Sequence, residues 1–171
     1  MNIILYMGIS ANGYIARADG NSEFTSEEDL KGFYTQSKKA GNIVMGKNTF
    51  LEASRQGYFP FPDALNVVVT HQEIENKWGD KVLFTDKPPR EILHILKERG
   101  FQTMLLAGGG QLNSSFAREG LIHEIYIDVE PFVFGKGIPI FAESDFEFEL
   151  ELLEVNKLNS DTVQLHYKVL K

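Results

Sequence analysis

Three short segments carry residues suited to holding a phosphate-bearing ligand. The first is Leu105-Leu106-Ala107-Gly108-Gly109-Gly110-Gln111-Leu112, where an apolar strand runs through glycines into a helix. Glycines let a ligand approach the backbone because no Cβ stands in the way. A helix start adds unpaired N–H groups and a partial positive charge, and together these make a pyrophosphate site. The spacing is neither G-x-G-x-x-G nor a P-loop, so a tight turn without ligand is the alternative at this point. The second segment, Ile43-Val44-Met45-Gly46-Lys47-Asn48-Thr49-Phe50, repeats the geometry, with Lys47 as a cation and Thr49 as a hydroxyl. The third is Val69-Thr70-His71-Gln72 at the end of another strand. Singly, Lys47 reads as a surface lysine and His71 as a solvated loop residue. In an open α/β sheet, however, ligands lie beyond the carboxyl ends of strands, and three such ends together are far more specific than one.

A carboxylate joins this set. Asp29, in Asp29-Leu30-Lys31-Gly32-Phe33, lies in the first turn of a helix. It is either an ordinary first-turn acid favoured by the helix dipole or a buried group that hydrogen-bonds a heterocycle and helps to protonate it. No histidine pair has metal-ligand spacing, so no metal site is expected. His94, His123 and His166 need no ligand, and Trp78 reads as a packing anchor.

The elements that must position these residues follow from periodicity. Ile3 to Ile9 is a buried strand. A capping box, Thr25 with Glu28, opens a helix that carries Leu30, Phe33 and Tyr34 and stops at Gly41. Strands are expected at Ile43–Met45, Asn66–Thr70, Lys81–Phe84 and Thr103–Ala107. Pro88-Pro89 opens a helix ended by Gly100, and another runs from Gln111 to Glu119. The tail holds strands at His123–Glu130, Phe146–Val155 and Thr162–Leu170, the last two forming an antiparallel hairpin through Asn159-Ser160-Asp161. Strands alternating with helices, then a β-rich tail, predict a mostly parallel sheet with helices on both faces and an antiparallel edge.

Composition bounds the rest. The chain has 171 residues, 43% of them apolar, which suits one domain spanning 1–171. With no cysteine, disulfides and thiolate chemistry are excluded. The formal charge of −7 and the lack of any basic cluster beyond Lys38-Lys39 argue against nucleic acid as a partner. The absence of a ~20-residue apolar run argues against a membrane span. No signal-peptide pattern opens the chain, so a cytoplasmic location is expected.

The ordered motifs resemble the dihydrofolate-reductase-like superfamily. Ser10-Ala11-Asn12-Gly13-Tyr14-Ile15-Ala16 is similar to its opening S-x-D/N-G-x-I-A motif, and Ile43 to Phe50 to its I-V-M-G-R/K-x-T segment. Asn66 to Gln72 is similar to the strand and turn that reach the cofactor's adenosine end. The stretch from Ala107 to Phe141 resembles the reductase domain of the bifunctional riboflavin-biosynthesis deaminase/reductase. Its glycines and Leu112 are followed by Gly120-Leu121 to Glu124, then by Pro131, Gly135, Gly137, Pro139 and Phe141.

The resemblance implies a three-layer αβα sandwich and an NADPH-dependent reductase. It places Gly8 and Ile15 beside the nicotinamide. Gly46, Lys47 and Thr49 would hold the diphosphate and adenosine phosphate, and Thr70 and His71 the ribose 2′-phosphate. Gly108, Gly109, Gly110, Gln111 and Leu112 would wrap the pyrophosphate. Asp29 matches the carboxylate that lies beneath the pterin in folate enzymes. The proline–tryptophan loop of those enzymes is missing, however, and Ala64 stands where a basic residue would clamp the folate glutamate. The chain is too short for the deaminase half and has no His/Cys/Cys zinc set, which leaves a stand-alone reductase, or a paralogue with another carbonyl or imine substrate; a small heterocyclic or ribosyl substrate is expected. Glu130, Pro131 and Phe132 lie near a plausible substrate mouth. A dihydrofolate reductase acting on a pterin and a non-catalytic NADPH-binding module are the alternatives. The apolar alternation of the tail, with the resemblance, predicts a homodimer.

Overall fold

The computed structural model describes residues 1–170. Its main sheet has eight strands, and the run from Ile3 to Ile9 lies inside the longest of them, β1 (Asn2–Ser10). The others are β3 (Asn42–Gly46), β4 (Leu65–Val69), β5 (Val82–Thr85), β6 (Thr103–Leu106), β7 (Glu124–Glu130), β9 (Leu150–Lys157) and β10 (Val163–Val169). The order is β5-β4-β3-β6-β1-β7-β10-β9. The first six are mutually parallel. β10 runs antiparallel to both β7 and β9, which makes the expected antiparallel edge. A small ribbon pairs β2 (Tyr14–Arg17) with β8 (Gly137–Pro139).

Side-chain alternation assigns the helices to two faces. On one face Ile3, Leu5, Val44, Val67 and Met104 pack against Ile92 and Leu96 of α3 (Pro89–Glu98) and Phe116 of α4 (Gly110–Arg118). On the other, Tyr6, Ile43, Met45 and Val68 pack against Ala40 of α1 (Glu27–Ala40) and Phe50 and Ala53 of α2 (Lys47–Arg55). The result is helix, sheet, helix. Leu96 and Leu106 are fully buried, and truncating either to alanine costs about 2–5 kcal/mol. Trp78 packs edge-on against Phe50 and Phe59, the anchoring role its sequence position suggested.

Two local expectations are corrected. Ser26, not Thr25, caps α1: its Oγ accepts from the Asp29 N–H at 3.2 Å. Gly41 ends this helix at φ 71°, a left-handed turn that a β-carbon resists. The last hairpin starts at Leu150 rather than Phe146, because Phe146 and Phe148 turn inward to pack with Phe141. The sequence pattern also missed β8, a three-residue strand that pairs with β2. No helix is long and apolar enough to cross a membrane among the described residues.

Candidate active site at the carboxyl ends of the strands

The parallel register sets three strand ends side by side. Val44 lies level with Leu106, and Gly46 with Val69. The Ala107 N–H donates to the Val44 carbonyl at 2.9 Å and the Gly46 N–H to the Gly108 carbonyl at 2.7 Å. The glycine run and the Gly46-Lys47 turn therefore meet edge to edge. Gly46 begins α2 and Gly109 begins α4, and neither helix has a side-chain cap. Their first-turn N–H groups are thus available to an anion, unlike those of α1, where Ser26 takes that place. Lys47 is half-buried beside them and makes no ion pair among the described residues. Thr70 and His71 follow β4 directly, at the next strand end along.

The glycines do different work. A Cβ on Gly109 would sit 3.6 Å from Thr49 Oγ1 and 3.9 Å from Ile15 Cδ1, in ordinary contact. Gly109, Thr49 and Ile15 therefore share one wall. A Cβ on Gly110 would come within 2.6 Å of the Pro139 carbonyl oxygen. The segment through Ala142 is bound to α4 by Ala142 N–H to Gly110 O at 3.1 Å and by Asn113 Nδ2 to Ile140 O at 2.7 Å. The small side of Gly110 serves this packing, which leaves only its backbone to face a ligand. Gln111 is exposed and Leu112 half-buried in the same turn. The Gly108–Gly109 peptide is cis.

Asp29 stands across β1 from this wall. Met7 reaches toward Gly108, while the next residue, Gly8, faces α1, where a Cβ would lie 2.9 Å from Asp29 Oδ1. Asp29 is 8% exposed, and its Oδ1 is buried with no hydrogen-bond partner. The carboxyl is held well above the usual carboxylate range, first by burial and then by the charge of Asp128, to which it is hydrogen-bonded. It is therefore not a solvated first-turn acid. Asp128 in turn accepts from Tyr6 Oη at 2.6 Å and from Gln164 Nε2 at 2.8 Å. Burial also raises Asp128, while Tyr6 and Gln164 pull it down. Glu130 is fully buried, accepting from the Ser26 N–H and Oγ at 2.8 Å and from Thr162 Oγ1 at 2.8 Å. It positions the start of α1.

Sequence reasoning missed Tyr6, Asp128 and Gln164. A signal was present: Tyr126, Asp128 and Glu130 alternate with Ile125, Ile127 and Val129, which puts two acids on an inward face. Arg55 is held by Glu52 at 2.8 Å and by Glu23 at 3.0 Å. This pairing lowers Glu52 to about 2 and removes Arg55 as a clamp for a substrate anion. His166 pairs with Glu124 at 2.8 Å and stacks on Tyr126, so its role is structural. No cluster of metal-ligating side chains occurs among the described residues.

Residues 1–164 match the model of the RibD C-terminal domain. The uncharacterized protein YwjB of Bacillus subtilis (strain 168) is 31% identical over 169 residues, covering 96% of this chain and 95% of its own. The 2,5-diamino-6-ribosylamino-4(3H)-pyrimidinone 5′-phosphate reductase of Methanothermobacter thermautotrophicus is 26% identical over 170 residues, 78% of this chain and 79% of that protein. Among solved structures, RibD of Acinetobacter baumannii superposes with a TM-score of 0.83 at 18% identity, over 99% of this chain and 58% of that one. A pyrimidine reductase-like protein of Corynebacterium diphtheriae gives 0.78 at 15% identity, over 99% and 92%. At these identities the structural likeness speaks for the fold: a mostly parallel mixed sheet with antiparallel edge strands.

Proposed function

The chain belongs to the RibD C-terminal domain family, and on that footing we propose that it is an NADPH-dependent reductase of a small heterocyclic, ribosyl-bearing substrate in riboflavin-type chemistry. The observation that carries the reading is the meeting of two uncapped helix starts at Gly46 and Gly109, with Lys47, which has no ion pair among the described residues, beside them and the Asp29 carboxyl one strand away. The donor set fits a dinucleotide. Backbone N–H groups of α2 and α4 suit the diphosphate, Lys47 adds a cation, and Thr70 with His71 suits a 2′-phosphate. Gly8 and Ile15 border the place for the nicotinamide.

A nicotinamide cofactor held by Gly46, Lys47, Thr49 and the Gly108–Leu112 turn would supply a hydride to the carbon of a C=N or C=O bond, and the heteroatom that receives the π pair would need a proton. Asp29 supplies that proton. It is buried and its carboxyl is held well above the usual carboxylate range, first by burial and then by the charge of Asp128, which suits a general acid, and solvent restores the proton afterwards. Gly8, with no side chain, leaves the space that Asp29 Oδ1 and Thr25 Cγ2 occupy against β1. The pterin reading is disfavoured by Ala64 and by the engaged Arg55.

The test is NADPH binding by fluorescence titration, followed by NADPH oxidation against a pyrimidine ribosyl imine phosphate, a ribose-type carbonyl and dihydrofolate. Oxidation with the pyrimidine is expected. NADPH binding without oxidation by any of the three would leave a binding module and end the enzyme reading. Equal affinity for NADH would remove the 2′-phosphate role of Thr70 and His71.

A homodimer through the β9 edge goes with this reading. Registered across one face are Leu5, Ile125, Tyr167 and Leu152, and Leu165 lies beside Val155. Leu152 and Val155 are 52% and 55% exposed, an apolar continuation of a covered face.

A further inference from the structure

The three buried acids are not equivalent, and their donors separate their roles. Glu130 has both oxygens engaged, by Ser26 and by Thr162. Asp128 receives one donor on each oxygen, from Tyr6 and Gln164. Asp29 has the Thr25 hydroxyl as its one donor and an Oδ1 buried without a hydrogen-bond partner, against two donors on Asp128. Two carboxyl groups hydrogen-bonded to one another must share a proton, since like charges at contact cannot both stay ionised in a buried site. The anion resides where donors stabilise it.

We propose that Asp128 is the positioning residue of this site: with Tyr6 and Gln164 as its donors it stays the anion and keeps the shared proton on Asp29. The proposal rests on Asp29 as the proton donor of the reduction. Asp128 touches neither substrate nor cofactor; it acts through Asp29. The groups that face the pair are Tyr6 of β1, Thr25 ahead of α1, Glu130 of β7 and Gln164 of β10, and none of them is a cation. The negative field of Asp128 and Glu130 therefore falls on Asp29, opposed by the Thr25 hydroxyl. Burial acts in the same direction. The Tyr6 hydroxyl is itself pushed up by burial and by Asp128, so it remains a donor throughout the accessible pH range. Gly32 belongs to the same design: the Tyr6 hydroxyl occupies the place where its side chain would be.

Two variants test this with opposite signs. Asp128→Asn replaces the anion by a neutral amide, so Asp29 should lose its proton at a pH lower by about one unit or more. Tyr6→Phe removes a donor from Asp128, makes it more basic, and should move the midpoint of the pair upward. The first readout is the carboxylic-acid C=O infrared band of the chain without cofactor or substrate. In the wild type this band is expected at neutral pH and should vanish in Asp29→Asn. The second readout is the alkaline limb of the pH–rate profile with whichever substrate is turned over.

Opposite shifts of the band in the two variants support the proposal. Unmoved midpoints, or a band that survives Asp29→Asn and vanishes in Asp128→Asn, overturn it, since the proton would then reside on Asp128 or be independent of it. The infrared arm needs no turnover. A chain that oxidises no NADPH would end the enzyme reading and still report where the proton resides. If Asp128→Asn does not fold, Tyr6→Phe alone carries the sign.

Discussion

Tyr6 Oη donates to Asp128 Oδ2 across 2.6 Å, joining β1 to its parallel neighbour β7 where Gly8 lies level with Asp128. The bond is buried and lies on the α1 side of the sheet, with the Tyr6 ring stacked at 5.8 Å on Tyr126 and edge-on to Phe33. Its removal leaves a buried carboxyl short of a donor. Tyr6→Phe should therefore lower stability by about 1–3 kcal/mol, read as a reduced midpoint in urea with an unchanged slope. An unchanged midpoint would mean that water replaces the hydroxyl.

Stability should also carry the signature of Asp29. Its carboxyl is raised in the folded chain by burial and by Asp128. A group raised in the folded state contributes stability that is complete below the ordinary carboxylate range and lost as pH rises through the folded value. Asp29→Asn, which cannot ionise, should remove this decline. Melting temperature measured from pH 5 to pH 9 should fall less for the variant than for the wild type. Parallel curves would show that Asp29 titrates normally.

The two neighbouring glycines should respond differently to alanine. At Gly110 the methyl group would strike the Pro139 carbonyl at 2.6 Å, an overpacking worth about 1–3 kcal/mol. At Gly109 the nearest atom, Thr49 Oγ1, is 3.6 Å away. Gly109→Ala should therefore melt near the wild type yet weaken NADPH binding, because its methyl group would enter the wall shared with Thr49 and Ile15 that is proposed to face the cofactor. Equal NADPH affinity in a well-folded Gly109→Ala would remove this residue from the site.

Thr70 and His71 should set the choice between NADPH and NADH. Replacing them together by Val and Ala removes two donors to a charged phosphate. If they hold the 2′-phosphate as proposed, this should weaken NADPH about tenfold and leave NADH unchanged, as read by fluorescence titration. A matching loss for both cofactors would place these residues elsewhere in the cleft.

The β9 edge should hold the second copy. Leu152→Asp puts a charge on an apolar row at a position 52% exposed in the single chain, so it should spare the fold of the chain and dissociate the dimer. Light scattering reads this directly. A monomeric wild type would end the dimer proposal.

The strand–glycine–helix segments at Gly46 and Gly108 were legible because they are local: apolar run, turn and helix start lie within eight residues of one another, and backbone geometry follows from residue type. The parallel sheet, its antiparallel edge and the placing of helices on both faces followed from the same alternation. The capping residue moved by one, from Thr25 to Ser26, because a cap is decided by which hydroxyl reaches the first-turn N–H. The strand β8 was invisible: Gly137 to Pro139 has no periodicity and exists only through its pairing with β2.

The sequence by itself determined the elements, the family pattern and the phosphate-compatible strand ends. Only the tertiary structure decided what Asp29 is. Residues 99 positions apart, in a helix and a distant strand, bring two carboxyl groups together (Asp29 and Asp128), and their protonation depends on burial and on donors from β1 and β10. Solvent exclusion and field strength vary with distance in space, not along the chain, so no local pattern could have reported them.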